Sequence, residues 1–105
     1  MPGWLPRILR RIHEFAKQRR VRITLKAQRE SAALGLDPTD VCDILGQLTR
    51  NDSAGRFRST STNEWLYIFK PRITGMVLYV KLVLRSDCLI VSCHEDEGID
   101  DDANT

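Results

Sequence analysis

The chain has 105 residues, of which 42% are hydrophobic, and a formal net charge of +2. That is enough apolar material for one modest core and too little for two. No stretch is long and apolar enough to span a membrane, and arginines interrupt the N-terminal run that a signal peptide would keep clear. A soluble cytoplasmic protein is therefore expected, with one domain over residues 1–94 and an acidic, disordered tail over residues 95–105. The small net charge hides a polar arrangement. Residues 1–30 carry nine Lys or Arg against two acids, and residues 95–105 carry six acids and no base. A folded part so rich in cations suits a polyphosphate partner, although a solvated helix face with a solubilising tail would look the same.

In chain order, Trp4, Leu5, Ile8, Leu9, Ile12, Phe15 and Ala16 recur at helical spacing, and Pro6 is tolerated in a first turn. His13 lies beside that stripe and reads as a structural, partly buried histidine. Arg20 to Ile23 is a short break or edge strand. A second helix runs from about Leu25 to a stop at Gly35. Asp37 caps a third, with Pro38 in its first turn and Val41, Ile44, Leu45 and Leu48 as its stripe. Residues 51–55 form a loop, after which the pattern is β. Strands are expected over Arg56–Thr60 and Trp65–Lys70, then a turn at Ile73-Thr74-Gly75 and a hairpin from Met76 to His94. Helices followed by strands predict an α+β fold, with the N-terminal helices packed on an antiparallel sheet.

Cys42, Cys88 and Cys93 form no CxxC pair, and on a regular strand Cys88 and Cys93 face opposite sides. They read as small buried hydrophobes in a reducing compartment. Their spacing with the two histidines matches no zinc pattern, so neither metal nor cofactor is expected.

The hairpin carries the chemistry. A two-residue turn at Ser86-Asp87 places Tyr79 opposite His94 and Lys81 opposite Ser92, all four on one exposed face. Leu78, Val80, Leu82 and Leu84 with Leu89, Val91 and Cys93 then form the core face. A proton donor or acceptor, a fixed cation and an imidazole are the minimum kit for cutting RNA without a metal. A ribose 2′-hydroxyl attacks the adjacent phosphorus; a base takes its proton, cations offset the added negative charge, and an acid protonates the departing 5′-oxygen. Histidine, with an ordinary pKa of about 6.5, serves as acid or base near neutrality. His94 is assigned as acid and Tyr79 as base or hydrogen-bonding partner, while Lys81, Arg56, Arg58 and Arg72 hold phosphate. Lys70, Arg72, Arg22 and Lys26 are candidate RNA-binding cations. Taken alone, a tyrosine facing a histidine across a sheet is a common packing pair. A module that binds nucleic acid or protein without cutting is the alternative.

Several fragments, in order and at near-constant spacing from about Val21 to Glu95, carry a resemblance. They are the Gly35-Leu36-Asp37 helix junction with Cys42, the Trp65 strand running into Lys70-Pro71-Arg72, Tyr79-Val80-Lys81, and Leu89-Ile90-Val91-Ser92. Together they resemble the motility quorum-sensing regulator (MqsR) family of toxins. The resemblance implies a RelE-like fold and metal-independent cleavage of mRNA, typically near GCU. It also implies an antitoxin partner, which could join two toxins through an antitoxin dimer into a heterotetramer. By position Tyr79 matches the family's active-site tyrosine. The family's lysine before the tryptophan strand falls near Arg56 or Arg58, its glutamine after the tryptophan is Leu66, and its last-strand lysine is His94. The N-terminal helix is longer than the family pattern, and the acidic tail is no part of it.

Overall fold

The computed structural model describes residues 2–97. Helix α1 (Leu5–Lys17) buries Leu5, Ile8, Leu9, Ile12 and Ala16, the stripe its spacing dictates. A three-residue strand β1 (Val21–Ile23) leads into α2 (Leu25–Ala33). Thr24 caps α2 by accepting from the Ala27 N–H at 3.1 Å. Gly35, at φ 79°, takes the left-handed conformation that ends a helix cheaply only for glycine. Asp37 and Asp40 exchange side-chain and backbone hydrogen bonds in a capping box that starts α3 (Pro38–Gly46). A short 3-10 turn, Arg50–Asp52, then precedes the strands.

These are β2 (Ser53–Arg58), β3 (Trp65–Phe69), β4 (Arg72–Ile73), β5 (Met76–Leu84) and β6 (Cys88–Glu95). The sheet order is β1-β6-β5-β3-β2, with β4 paired to β5. The fold is α+β, as expected, but the sheet is mixed rather than purely antiparallel, because β1 runs parallel to β6. A three-residue strand has too little alternation for its direction to be read from sequence. The remaining strand pairs are antiparallel. β2 starts three residues earlier than predicted, its register shifting between Ser53 and Arg56, where Gly55 sits at φ 98°. Arg72–Ile73, read in part as a turn, pairs as a short strand with Met76 and Val77.

One face of the sheet, the back, joins the helices in the core, with Tyr67, Phe69, Leu78, Val80, Leu82 and Ile90 packed against α1 and α3 residues such as Ile12 and Leu45. The β5–β6 hairpin reaches this arrangement by two departures that cancel. Its turn has three residues, since Leu84 pairs with Cys88, and Val91 is an extra, unpaired residue between Ile90 and Ser92. Past that bulge the register returns to Lys81 opposite Ser92 and Tyr79 opposite His94, as predicted. Before it, the faces are reversed. Cys88 and Ile90, not Leu89 and Val91, point into the core. Cys88 and Cys93 accordingly share the core face instead of opposing each other, and all three cysteines are buried and free. Burial first of all, out of reach of water, pushes the Cys88 thiol up to about 12 and the Cys93 thiol up to about 11.

Three arginines hold the hairpin turn. Arg11 donates to the Arg85 carbonyl at 3.2 Å, Arg20 to the Ser86 carbonyl at 2.6 Å, and Arg22 to the Asp87 carboxylate at 2.6 Å. On the other side of β6, β1 covers only Cys88 to Ile90. Helix α2 takes over beyond it, and the Glu30 carboxylate accepts from the Cys93 N–H at 3.0 Å, so this stretch of edge is not left unpaired. Glu95 is the last residue of β6, and the Asp96 N–H just beyond it donates to the Val77 carbonyl at 2.7 Å. The rest of the tail, residues 98–105, lies outside the described residues. No helix among the described residues is long and apolar enough to cross a membrane.

Candidate functional site

Directly paired residues of an antiparallel ladder project to the same face, so the register maps the front of the sheet in rows. Tyr79 and His94 form one row. Ile68, Lys81 and Ser92 form the next, and Phe57, Leu66, Val83 and Leu89 the third. Ile68 and Val83 are buried yet stand apart from the back-face core, so the front has a small apolar floor of its own.

The rings of Tyr79 and His94 stack, with centroids 5.1 Å apart and planes 10° from parallel. His94 Nδ1 lies 2.9 Å from the Glu95 carbonyl. A carbonyl only accepts, so Nδ1 carries the proton of the neutral ring, and Nε2 is left to take up or give a proton. Two residues along the strands, Lys26 of α2 reaches over the sheet. Its Nζ donates to Ser92 Oγ at 3.1 Å and pairs with Glu30 at 2.9 Å. Ser92 is thereby buried, not exposed as the alternation implied. Partial burial pushes the Glu30 carboxyl up. Hydrogen bonds from the Cys93 N–H and Lys26, and the charges of Lys26 and His94, outweigh it and leave the group below its ordinary value. A carboxyl lowered on folding stabilises the fold above its unfolded pKa, and that contribution is lost as the pH falls through the folded one. Glu30→Gln is therefore expected to cost about 1–3 kcal/mol at pH 7, the usual worth of hydrogen bonds to a charged group. Thermal unfolding should show the gap between wild type and variant narrowing as the pH falls through the ordinary carboxylate range, about pH 4, and closing below it.

The expected site residues divide between the two faces. Tyr79, Lys81 and His94 come together on the front, with Lys26 beside them. Lys70 follows Phe69 at the end of β3, its Nζ 3.5 Å from the Asp96 carboxylate. Arg22 pairs with Leu89, and its guanidinium forks onto Asp87 at 2.6 and 3.4 Å. Arg72 stands exposed on β4. Arg56 and Arg58 are not brought to Tyr79 and His94. Their partners are Tyr67 and Trp65, which places them on the back. Arg56 lies between Trp65 and Trp4, 3.7 and 4.7 Å from the ring centroids. Arg58 lies 4.3 Å from Trp65 and donates to the Asn63 carbonyl at 3.2 Å. The sequence could not choose a face here, because Gly55 and the register shift in β2 set the parity. Reading the sequence also missed the bond between Glu30 and the sheet edge. The i,i+4 spacing of Lys26 and Glu30 was a visible signal for their pairing, but nothing local says that α2 lies along β6. His13 donates from Nε2 to the Leu48 carbonyl at 2.7 Å, a structural role as expected. Among the described residues no group of three or more His, Cys, Asp or Glu is placed to hold a metal ion.

The model of the family described as motility quorum-sensing regulator, toxin of MqsA, matches residues 7–95. The chain belongs to the MqsR toxin family. A comparison with curated proteins found no match. The MqsR match runs from the first turn of α1 to the last residue of β6, so it takes in every strand and helix that builds the front face. By family, the chain is the toxin of a toxin–antitoxin system.

Proposed function

We propose that this MqsR-family toxin is an endoribonuclease that cuts mRNA without a metal and so arrests translation and growth in the cytoplasm. A RelE-like arrangement of helices on a sheet and an MqsA-type antitoxin partner, joining toxins through an antitoxin dimer, belong to the same reading. The observation that carries it is the stacked Tyr79–His94 pair, with Nε2 unengaged among the described residues, on a sheet face that also presents Lys81 and Lys26. In the reaction, protonated His94 gives its Nε2 proton to the departing 5′-oxygen. Tyr79 accepts from or orients the attacking 2′-hydroxyl. Lys81 offsets charge on the phosphorane, and Lys26, which has a third N–H beyond those given to Ser92 and Glu30, holds a phosphate oxygen. Lys70 and Arg72, toward the Tyr79 end of the sheet, take a phosphate on one side, and Arg22, two rows away beside Leu89, takes one farther along the strand. Arg56 and Arg58 are left out, since they serve the opposite face. Purified toxin incubated with single-stranded RNA in EDTA is expected to yield 2′,3′-cyclic phosphate and 5′-hydroxyl ends. A strict magnesium requirement, or 5′-phosphate products, would overturn the mechanism.

A further inference from the structure

Beside the Tyr79–His94 row the front face sinks into a groove of about 330 Å³. Its floor is apolar, made by Leu66, Val83 and Val91, and its walls are unlike one another. Lys26 and Lys81 stand on the side toward the stacked rings. On the other side the loop 59–64 presents Glu64, which Arg85 grips through two hydrogen bonds of 2.8 and 2.7 Å. That grip holds the Glu64 carboxyl below its ordinary value. The walls are held in place. Arg11 of α1, Arg22 of β1 and Arg20 between them fix the turn that carries Arg85, and Arg58 reaches from the back of the sheet to hold Asn63, next to Glu64. The Val91 bulge is what turns Val91 and Ser92 together toward the groove, where an unbroken strand would send one of them to the core.

We propose that this groove is a subsite for one unpaired nucleobase adjoining the bond that is cut, and that the Glu64–Arg85 pair discriminates among bases. The inference rests on the nuclease reading and deepens it. A flat apolar floor suits the face of a base, and a volume at the small end of ligand clefts suits one base rather than several. The lysines at its mouth suit the attached phosphate. An acceptor held beside a donor meets the edge of a base, where the four bases differ. Since Arg85 donates through Nε and one Nη, its other Nη stays available, as do lone pairs of Glu64. Single-stranded RNA then lies across the sheet with the base in the groove and the reacting phosphate between Lys81 and the stacked rings.

The test uses purified toxin, a randomised single-stranded RNA and mapping of new 5′ ends, for wild type, Glu64→Gln and Val91→Trp. Circular dichroism and thermal unfolding establish that each variant is folded. In parallel, affinities are measured for short oligonucleotides carrying 2′-deoxyribose at the cut site, which bind without reacting. Wild type should show a base preference at the position next to the cut, alongside any other positions it reads. Glu64→Gln should change that preference by about tenfold or more, within the range of a hydrogen-bonded base contact. Val91→Trp, which fills the groove, should weaken oligonucleotide binding by a similar factor. Cleavage by wild type with the same preference in folded Glu64→Gln, and unchanged affinity in Val91→Trp, would overturn the subsite while leaving the nuclease intact. If wild type cuts nothing, the nuclease reading fails, and affinity for the uncleavable oligonucleotides insensitive to Val91→Trp would reject the groove on its own account.

Discussion

His94→Ala is expected to lower kcat/KM for RNA cleavage by about 10²–10⁴-fold, the usual contribution of a positioned general acid. Thermal stability should change little, because His94 is half-buried on the front face and, among the described residues, its side chain bonds only to the neighbouring Glu95 carbonyl. Tyr79→Phe separates two roles of its partner. Phenylalanine keeps the ring that stacks on His94 at 5.1 Å and removes only the hydroxyl. A large loss in this variant would assign Tyr79 to proton transfer or orientation, whereas near-wild-type rates would reduce it to packing. The pH dependence of kcat/KM in His94→Ala adds a check that a merely structural loss would not reproduce, since the limb contributed by the acid should disappear. Wild-type rates in His94→Ala would remove histidine from the mechanism.

The largest effect on stability is expected at Phe69, which is fully buried and lies on the back of the sheet beside Val80, its partner on β5. Phe69→Ala should cost about 3–5 kcal/mol, because it deletes most of a large buried ring and the cavity cannot close around strands pinned on both sides. Domains of this kind hold only about 5–15 kcal/mol in total, so a substantial population would unfold at growth temperature. Urea unfolding with a shifted midpoint and unchanged slope would measure it. Phe57→Ala is the control. Phe57 is 45% exposed on the edge strand β2, and its loss should stay near ±0.5 kcal/mol. Similar costs for the two phenylalanines would mean that the core is not centred where the burial pattern puts it.

How far the sequence carried depended on the range of the physics involved. The three helices were legible because their signals are local: a cap at Asp37, a stop at Gly35, and an apolar stripe along α1. The pairing of Tyr79 with His94 was also predicted, but through a route that only the structure reveals. The three-residue turn and the Val91 bulge each shift the register by one residue, in opposite senses. Between them the faces of Cys88 to Ile90 are reversed, and no local rule marks a bulge at Val91. Long-range features stayed hidden for a related reason. The parallel pairing of β1, the placement of α2 along β6, and the assignment of Arg56 and Arg58 to the tryptophan face all depend on which distant element supplies the other surface. The stacking of Arg56 between Trp4 and Trp65 illustrates this, since it joins the start of the chain to an edge of the sheet.

The dependence of β1 and α2 on β6 has a consequence for the timing of biosynthesis. Lys26 and the Ser92 hydroxyl it holds are 66 residues apart in the chain. At about 5–20 residues per second, a ribosome needs roughly 3–13 s to travel between them. During that interval the early strand and helix have no template to pair with, and the groove, the stacked rings and the Glu30 anchor do not exist. The front face of a nascent chain is thus incomplete until β6 has emerged, because the closing strand brings both the histidine and the partner that the first segments lack.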